Sequence, residues 1–254
     1  MPELIHLKLT IAYDGTGLVG WQRQSTGTSI QALIEDALAP LEGGPVTVTG
    51  AGRTDAGVHA LGQVASVTLR RTIAPRSVVK AANMRLPACV RVLAAEEVGP
   101  DFHAQFRAVA KTYRYRIWNN DVLSPFERPF VWHVPWPPLD VEAMNEAAAR
   151  IVGPHDFAAF QGSGSDAETT VRTVFSSNVS RHDAADQARL VTCELRGDGF
   201  LRHMVRAIAG SLVEVGRGRQ PASWIDEVLA SRDRGTAGRT APATGLFLVR
   251  VEYE

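Results

Sequence analysis

Segments that favour strands and helices follow one another in the same order in both halves of this 254-residue chain. The first half predicts strand, helix, strand, strand, helix, strand, and the second half repeats that order with one additional helix. This order lacks the regular strand and helix alternation of a parallel α/β fold. We therefore expect an α+β fold of two tandem related halves, 1–105 and 106–254, with mixed or antiparallel sheets, helices on one face and a central cleft.

The spacing of apolar residues gives the individual predictions. Leu7, Leu9, Ile11 and Tyr13 alternate with other residues, which is typical of a half-buried strand. Capping-box spacing at Thr28 and Gln31 predicts the start of the first helix there. Further strands are predicted at 46–49, 63–69, 90–98, 112–118, 171–180, 189–195 and 246–251. Further helices are predicted at 75–86, from Asp140 to before Gly153, at 201–216 and from Pro221, with loops at 119–140, 161–170 and 231–244.

Charge is balanced overall and uneven along the chain. There are 27 basic and 27 acidic residues, so a polyanionic partner would have to be recognised by local clusters. Residues 50–91 contain seven Lys or Arg against one acid, and residues 196–219 contain five against two. Of the 27 basic residues 24 are arginine, whose planar fork suits bidentate contact with phosphate. The sequence thus permits a basic surface around these two segments.

Cysteine content and hydropathy predict the cellular setting. Cys89 and Cys193 lie far apart with no partner spacing, which favours neither a disulfide framework nor a thiolate metal site. We expect both to be buried as small apolar residues. No segment reaches the length of a membrane span, and the first residues do not resemble a leader peptide. A cytoplasmic protein is the expectation.

The most informative segment is the loop G-A-G-R-T-D-A-G-V-H at 50–59, between two predicted strands. Its glycines allow the backbone to approach a ligand closely, and it presents the carboxylate of Asp55 beside the guanidinium of Arg53. An ordinary Gly/Asp turn is the alternative. Hydrolytic glycosidases use two carboxyl groups, and no second acid accompanies Asp55 nearby. Since common nucleotide, serine-esterase and zinc motifs are absent, Asp55 is predicted to act without metal as nucleophile or base.

Two further segments combine aromatic and basic side chains. Alternation from Lys111 predicts Tyr113 and Tyr115 on one face of a strand and Arg114 and Arg116 on the other. Aromatic rings beside cations bind unpaired bases and phosphates, although an amphipathic strand gives the same pattern.

The second of these segments is the predicted helix at 201–216. Arg202 and Arg206 lie four residues apart, which predicts two guanidiniums on one helix face. A solvated helix face would give the same spacing.

Five segments, taken together, resemble the tRNA pseudouridine synthase A family. The order and spacing fit along nearly the whole chain. The segments are Y-D-G-T-x-x-x-G-W-Q-x-Q at 13–24, G-R-T-D-A-G-V-H-A at 52–60, F-H-A to K-T-Y-R-Y at 102–115, H-D-F-x-x-F at 155–160 and G-x-G-F-L-R-H-M-V-R at 197–206.

The resemblance implies conversion of uridine to pseudouridine at positions 38, 39 and 40 of the tRNA anticodon stem-loop, without cofactor or metal. It also implies the pseudouridine synthase fold, with a basic cleft, and a homodimer. Asp55 matches the essential aspartate, Tyr113 the tyrosine that stacks near the target base, and Arg206 the arginine that pairs with the aspartate. Candidate substrate-binding residues are Gln22, Arg53, Thr54, His59, Arg114, Phe200 and Arg202.

Two positions depart from the family pattern. Leu18 stands where phenylalanine is common, and Gln105 stands where many members have arginine. Arg107 is predicted to lie on the same strand face as Gln105 and to replace the missing charge.

Two other classes of function are weighed against the synthase. A non-catalytic RNA-binding protein would use the same arginines and tyrosines without needing Asp55. A phosphate-handling enzyme would use Asp55 as a metal ligand or phosphoacceptor.

Overall fold

The chain forms ten strands and five α-helices within the residues that the computed structural model describes, 4–70, 73–164, 167–182 and 189–254. The strands are β1 (Ile5–Tyr13), β2 (Val48–Gly50), β3 (His59–Leu69), β4 (Val90–Glu97), β5 (Ala108–Trp118), β6 (Trp132–His133), β7 (Gly153–Asp156), β8 (Val171–Arg181), β9 (Leu190–Gly197) and β10 (Leu246–Tyr253). The helices are α1 (Ile30–Glu42), α2 (Pro75–Asn83), α3 (Val141–Ala149), α4 (Met204–Gly216) and α5 (Trp224–Ser231).

The chain divides into two compact units. The first unit comprises Met1–Val109 together with Phe247–Glu254, and the second comprises Ala110–Leu246. The last strand, which the sequence pattern assigns to the second half, therefore belongs to the first unit. No helix in the described ranges is long and apolar enough to span a membrane.

The first unit has a mixed sheet in the order β4-β1-β3-β10. Strand β1 is antiparallel to both β3 and β4, whereas β10 is parallel to β3, with Phe247 opposite His59. Strand β2 pairs antiparallel with β3 further along that strand, with Val48 opposite Val67. Alternate residues of β1 are buried, as the sequence pattern predicts, because one face of the strand packs into the core.

The second unit has a sheet in the order β5-β9-β8-β7, and all of these pairs are antiparallel. Strand β6 is parallel to β5. Helix α3 packs against β8 and α4. The α+β class with mixed and antiparallel sheets is confirmed. The sequence pattern misses β6 and β7, which are too short for a periodic signal.

The predicted starts of three helices can be compared with those in the structure. Asp140 caps α3 as predicted, by accepting a hydrogen bond from the N–H of Ala143 at 2.9 Å. The prediction that Thr28 caps α1 is wrong by one residue, since Ser29 is the N-cap and accepts from Ala32 N–H at 3.2 Å. The apolar stripe of α4 is buried as predicted, although the helix begins at Met204 and not at 201. Part of the predicted loop 161–170 lies outside the described residues.

The prediction for Gln105 and Arg107 is wrong. Both lie in turns before β5, where Arg107 N–H donates to the carbonyl of His103 at 3.0 Å. The Arg107 guanidinium forms an ion pair with Asp101. Because the residues are not in a strand, Arg107 does not share a strand face with Gln105.

Candidate active site

The Asp55 loop connects β2 to β3 in the first unit. It turns back on itself where the N–H of Val58 donates to the carbonyl of Asp55 at 3.1 Å, and Gly57 has the positive φ of 77° that such a turn favours. The Asp55 side chain is half-buried, whereas Arg53 is exposed. The loop therefore presents one carboxylate on a defined backbone.

Segment 14–21 packs against the backbone of this loop. The N–H of Trp21 donates to the carbonyl of Thr54 at 3.0 Å, and the N–H of Gly57 donates to the carbonyl of Leu18 at 3.3 Å. A Cβ atom at Gly15 would lie 2.1 Å from the carbonyl oxygen of Val58. One at Gly20 would lie 2.5 Å from that of Thr54. Only glycine permits this backbone-to-backbone approach, so two glycines of the Y-D-G-T-x-x-x-G-W motif position the Asp55 loop.

Thr54 is a buried structural residue in this arrangement. Its hydroxyl lies 2.8 Å from that of Tyr13, and the Gln63 side-chain amide donates to the carbonyl of Gly52 at 2.9 Å. Burial raises the pKa of Tyr13 to about 12, although hydrogen bonds from Thr54 and Gln63 oppose the rise. The phenol is therefore neutral at ordinary pH and can donate to Thr54.

His59 is the first residue of β3, immediately after the loop. Its ring is buried and stacks on Phe247 at a centroid distance of 4.7 Å. Nδ1 lies 3.1 Å from both the N–H of Gly15 and a carboxylate oxygen of Asp14. One Nδ1 cannot accept and donate at once, and the backbone proton is fixed, so the neutral ring accepts from Gly15.

Asp14 is held by the same turn. Burial alone would raise the pKa of the Asp14 carboxyl, but hydrogen bonds, those from Thr16 first, outweigh burial and lower this pKa. Because Gly15 occupies Nδ1 of the neutral ring, we attribute the lowering mainly to Thr16, whose N–H donates at 2.9 Å. His59 and Asp14 thus support the loop backbone.

Gln22 contacts helix α1. Its side-chain amide donates to Oε1 of Gln31 at 2.9 Å, and Gln31 in turn donates to Glu35 at 3.0 Å. The neighbouring Trp21 is buried, with its ring where a Gly50 side chain would lie. The N–H of Gln31 also donates to the carbonyl of Trp21 at 3.0 Å, so segment 14–21 is fixed to α1 as well as to the Asp55 loop.

Tyr113 and Phe200 meet in the second unit. Tyr113 lies on the same face of β5 as the buried Tyr115, and its ring meets that of Phe200 edge-to-face at 5.2 Å between centroids. Arg114 lies on the opposite face, where its Nε and Nη2 donate to Glu194 at 3.0 and 2.8 Å. The predicted alternation of this strand is confirmed, and the Arg114 charge is paired with a carboxylate within the protein.

The prediction that Arg202 and Arg206 share a helix face is wrong. His203, with a positive φ of 62°, interrupts the backbone between them, so that α4 begins only at Met204. The Arg202 guanidinium donates to the carbonyl of Gly164 at 2.9 Å, whereas Nε of Arg206 donates to that of Ala241 at 2.8 Å. The two cations are bound to different segments.

Lys111 lies near Tyr113 but is not among the candidate site residues selected from the sequence. Lys111 is two residues before Tyr113 and therefore shares its face of β5. Burial lowers the pKa of the Lys111 ammonium, and the positive charge of Arg172 lowers it further, while Asp198 opposes both. The strand alternation already contained this signal, because it placed Lys111 with the tyrosines.

The two units carry different chemical groups. The first presents one carboxylate, supported by buried neutral hydrogen bonds, and the second presents an aromatic pair with cations nearby. Within the described ranges, no group of three His, Cys, Asp or Glu side chains is arranged to hold a metal ion. A fixed carboxylate can act as nucleophile or base, and aromatic rings can stack on a base.

Comparisons with known proteins agree with these observations. A family model described as tRNA pseudouridine synthase matches residues 9–107 and 147–254. The chain is 47% identical over 247 residues to the tRNA pseudouridine synthase A of Syntrophotalea carbinolica, covering 97% of this chain and 96% of that protein. It is 47% identical to the protein of that name from Myxococcus xanthus, covering 97% and 91%, and 45% identical to that from Acetivibrio thermocellus, covering 98% and 99%. The chain belongs to the tRNA pseudouridine synthase family.

Proposed function

We propose that this protein converts uridine to pseudouridine in tRNA, at positions 38, 39 and 40 of the anticodon stem-loop, with Asp55 as its catalytic residue. The observation that carries the proposal is the support of the Asp55 loop. Two glycine contacts and the buried Tyr13–Thr54 pair fix a loop that presents one carboxylate. An RNA-binding surface gains nothing from a fixed carboxylate, because phosphate repels it. The names of the relatives point to the same reaction.

The reaction exchanges one bond of the ribose for another. The N1–C1′ bond breaks and its electron pair leaves with the uracil, which turns and forms the C5–C1′ bond. The C5 proton is released and N1 takes up a proton, so the product is an isomer of the substrate. No water is consumed, which is why one carboxylate is sufficient where a hydrolase uses two.

Asp55 acts as an anion at the sugar, either by attacking C1′ or by removing the C2′ proton. Deuterium at C2′ distinguishes these roles. Proton removal predicts a primary isotope effect on single-turnover formation of pseudouridine. Attack at C1′ predicts a rate close to that of the unlabelled substrate.

The aromatic pair receives the uracil. Extruding a base from its stack costs roughly a few kcal/mol, which stacking on protein rings can return. Tyr113 is the proposed stacking residue, with Phe200 holding its ring at 5.2 Å. Tyr113→Phe keeps the stacking surface, so full activity of this variant would remove any chemical role for the hydroxyl. Tyr113→Leu is expected to lose activity in either case.

Tritium release from transcript tRNA that contains 5-tritiated uridine tests the function. The wild-type protein is expected to release tritium in excess EDTA, since the proposed reaction uses no metal or cofactor. Asp55→Asn is expected to reduce release by roughly a thousandfold or more while keeping the wild-type melting temperature. Binding without release would indicate an RNA-binding protein, and release that requires a divalent ion would indicate phosphate chemistry.

The assembly and location remain predictions. A homodimer is expected, and light scattering after size-exclusion chromatography measures it directly. Fractionation of cells tests the expected cytoplasmic location.

A further inference from the structure

Two cations lie on one face of the second unit's sheet, near Gly197. On β9, Gly197 pairs with Lys111 of β5 on one side and with Val174 of β8 on the other. Arg172 is two residues before Val174 on β8, so it shares the sheet face of Lys111 and Tyr113. Gly197 has no side chain to separate the two long basic side chains, and the positive charge of Arg172 is close enough to act on Lys111.

Two glycines leave room for the Phe200 ring and for the Arg172 side chain. A Cβ at Gly197 would lie 3.3 Å from Cζ of Phe200, and one at Gly199 would lie 3.5 Å from both Cδ and Nε of Arg172. The Phe200 ring thus lies against Gly197 and also meets Tyr113. The Lys111–Arg172 pair is therefore adjacent to the aromatic pair.

The fold compensates these two charges incompletely. Asp198, whose two oxygens accept from the N–H of Thr173 at 3.0 and 3.1 Å, is a nearby carboxylate that supplies one negative charge against two positive ones. Nη1 of Arg172 donates to the carbonyls of Thr169 and Val171, which fixes the guanidinium beside the sheet. Holding two cations together at a partly desolvated position is unfavourable unless an anion joins them. This arrangement favours the binding of an anion.

We propose that Lys111 and Arg172 together bind one backbone phosphate of the RNA, next to the nucleoside that stacks on Tyr113 and Phe200. This inference rests on the proposed function. A phosphodiester is the anion that arrives covalently attached to a nucleoside, which matches a two-cation site beside two aromatic rings. The site would then position the nucleotide while other groups act on its sugar.

The salt dependence of tRNA affinity tests the charge contact. Lys111→Met keeps the side-chain length without the charge and is expected to weaken binding about tenfold and to lower the slope of log Kd against log salt by about 1. Lys111→Arg should bind within about twofold of wild type, because it can still contact phosphate. The matched control is Arg250→Gln, which removes an exposed arginine that pairs with Glu252 outside both basic segments and should leave the slope unchanged.

A modified RNA locates the phosphate. In an anticodon stem-loop RNA, single methylphosphonate linkages remove one backbone charge at a time. At one linkage near the target uridine, the neutral linkage should weaken binding by the wild-type protein about tenfold. The same linkage should hardly weaken binding by Lys111→Met, which has already lost the contact to that phosphate. Arg172→Gln should give the same pattern, which keeps the test valid if Lys111→Met does not fold.

The proposal is overturned if the effects of variant and linkage are additive. In that case each neutral linkage would weaken binding by Lys111→Met and by Arg172→Gln as much as it weakens binding by the wild-type protein. An unchanged salt slope in Lys111→Met would overturn it as well. Both readouts measure binding, so they do not depend on turnover. Absence of tritium release by the wild-type protein would instead contradict the proposed function.

Discussion

Tyr13 and Thr54 form a buried hydroxyl pair beneath the residue proposed for catalysis. Tyr13 ends β1, Thr54 immediately precedes Asp55, and their oxygens lie 2.8 Å apart. Gln63 adds a longer contact of 3.4 Å to the phenol. A polar group buried without its partner costs more than an ordinary hydrogen bond contributes. The shape of the Asp55 loop thus depends on a residue that touches no substrate atom.

Tyr13→Phe is the corresponding test. Loss of the phenol leaves the Thr54 hydroxyl buried without this partner, so the free energy of unfolding should fall by about 1–3 kcal/mol. The rate of tritium release should fall as well, with little change in tRNA affinity. The control is Tyr253→Phe, whose hydroxyl donates to the carbonyl of Ala104 at 2.7 Å and not to the loop. An equal effect of both variants on turnover would contradict the positioning role.

Arg206 is proposed to stabilise the ionised form of Asp55 during the reaction. Arg206→Ala should therefore reduce the single-turnover rate far more than it weakens tRNA binding. Arg202→Ala is the comparison, because Arg202 is bound to a different segment and should affect affinity alone. Equal losses of rate and affinity in Arg206→Ala would indicate simple RNA binding. Fluorescence anisotropy and tritium release give the two quantities.

Segment 14–21 and the Asp55 loop act as one structural element. They are joined by backbone hydrogen bonds and by close approach at Gly15 and Gly20. Leu18 lies in this segment, where its carbonyl accepts from Gly57. Backbone hydrogen bonds do not depend on side-chain identity, so the leucine in place of phenylalanine is compatible with the same loop geometry.

Gly20→Ala and Gly17→Ala form a matched pair within this segment. Both glycines have positive φ, at 99° and 74°, so either change costs roughly 1 kcal/mol of backbone strain. A Cβ at Gly20 would also lie 2.5 Å from the Thr54 carbonyl, whereas one at Gly17 meets nothing within 4 Å. Gly20→Ala should displace the loop and lower tritium release at least tenfold relative to Gly17→Ala. Similar activity in the two variants would exclude a positioning role for Gly20.

At the scale of the whole molecule, the end of the chain completes the first unit. Strand β10 pairs in parallel with β3 and brings Phe247 against His59, behind the Asp55 loop. Its last tyrosine, Tyr253, contacts Phe102 at 5.1 Å between ring centroids. The first unit therefore requires residues from both ends of the chain.

Buried acidic groups predict loss of stability at alkaline pH. Burial raises the pKa of Tyr13 to about 12 and that of the Cys193 thiol to about 12, from ordinary values of 10.0 and 9.0. A raised pKa in the folded state means that the unfolded chain loses the proton first. The free energy of unfolding should thus be constant below about pH 9 and decrease between about pH 9 and pH 12. Tyr13 alone should contribute roughly 3 kcal/mol of this decrease.

Chemical denaturation across this pH range measures the effect. Cys193→Ala should flatten the fall that begins near pH 9, because it removes one of the groups that titrates. Cys89→Ala is the control, since Cys89 is only partly buried. A fall of the same size in both variants would contradict the assignment to Cys193.

Local sequence determined the parts of this protein that depend on neighbours within one element. Alternation fixed the faces of β1 and β5, Asp140 began α3, and the glycines around Asp55 marked the loop. Burial of Cys193 also followed from composition, whereas Cys89 is only partly buried. These features could be predicted because their causes, a strand period of two and the conformational freedom of glycine, act over a few residues.

Only the tertiary structure decided which distant residues meet. Spacing alone placed Arg202 on a helix with Arg206, but the backbone at His203 separates them. Strand pairing brought Lys111 beside Gly197, with Arg172 two residues from the other neighbour, Val174, and it returned β10 to the first unit. The register between strands depends on packing of the whole sheet, and a local pattern does not contain that information.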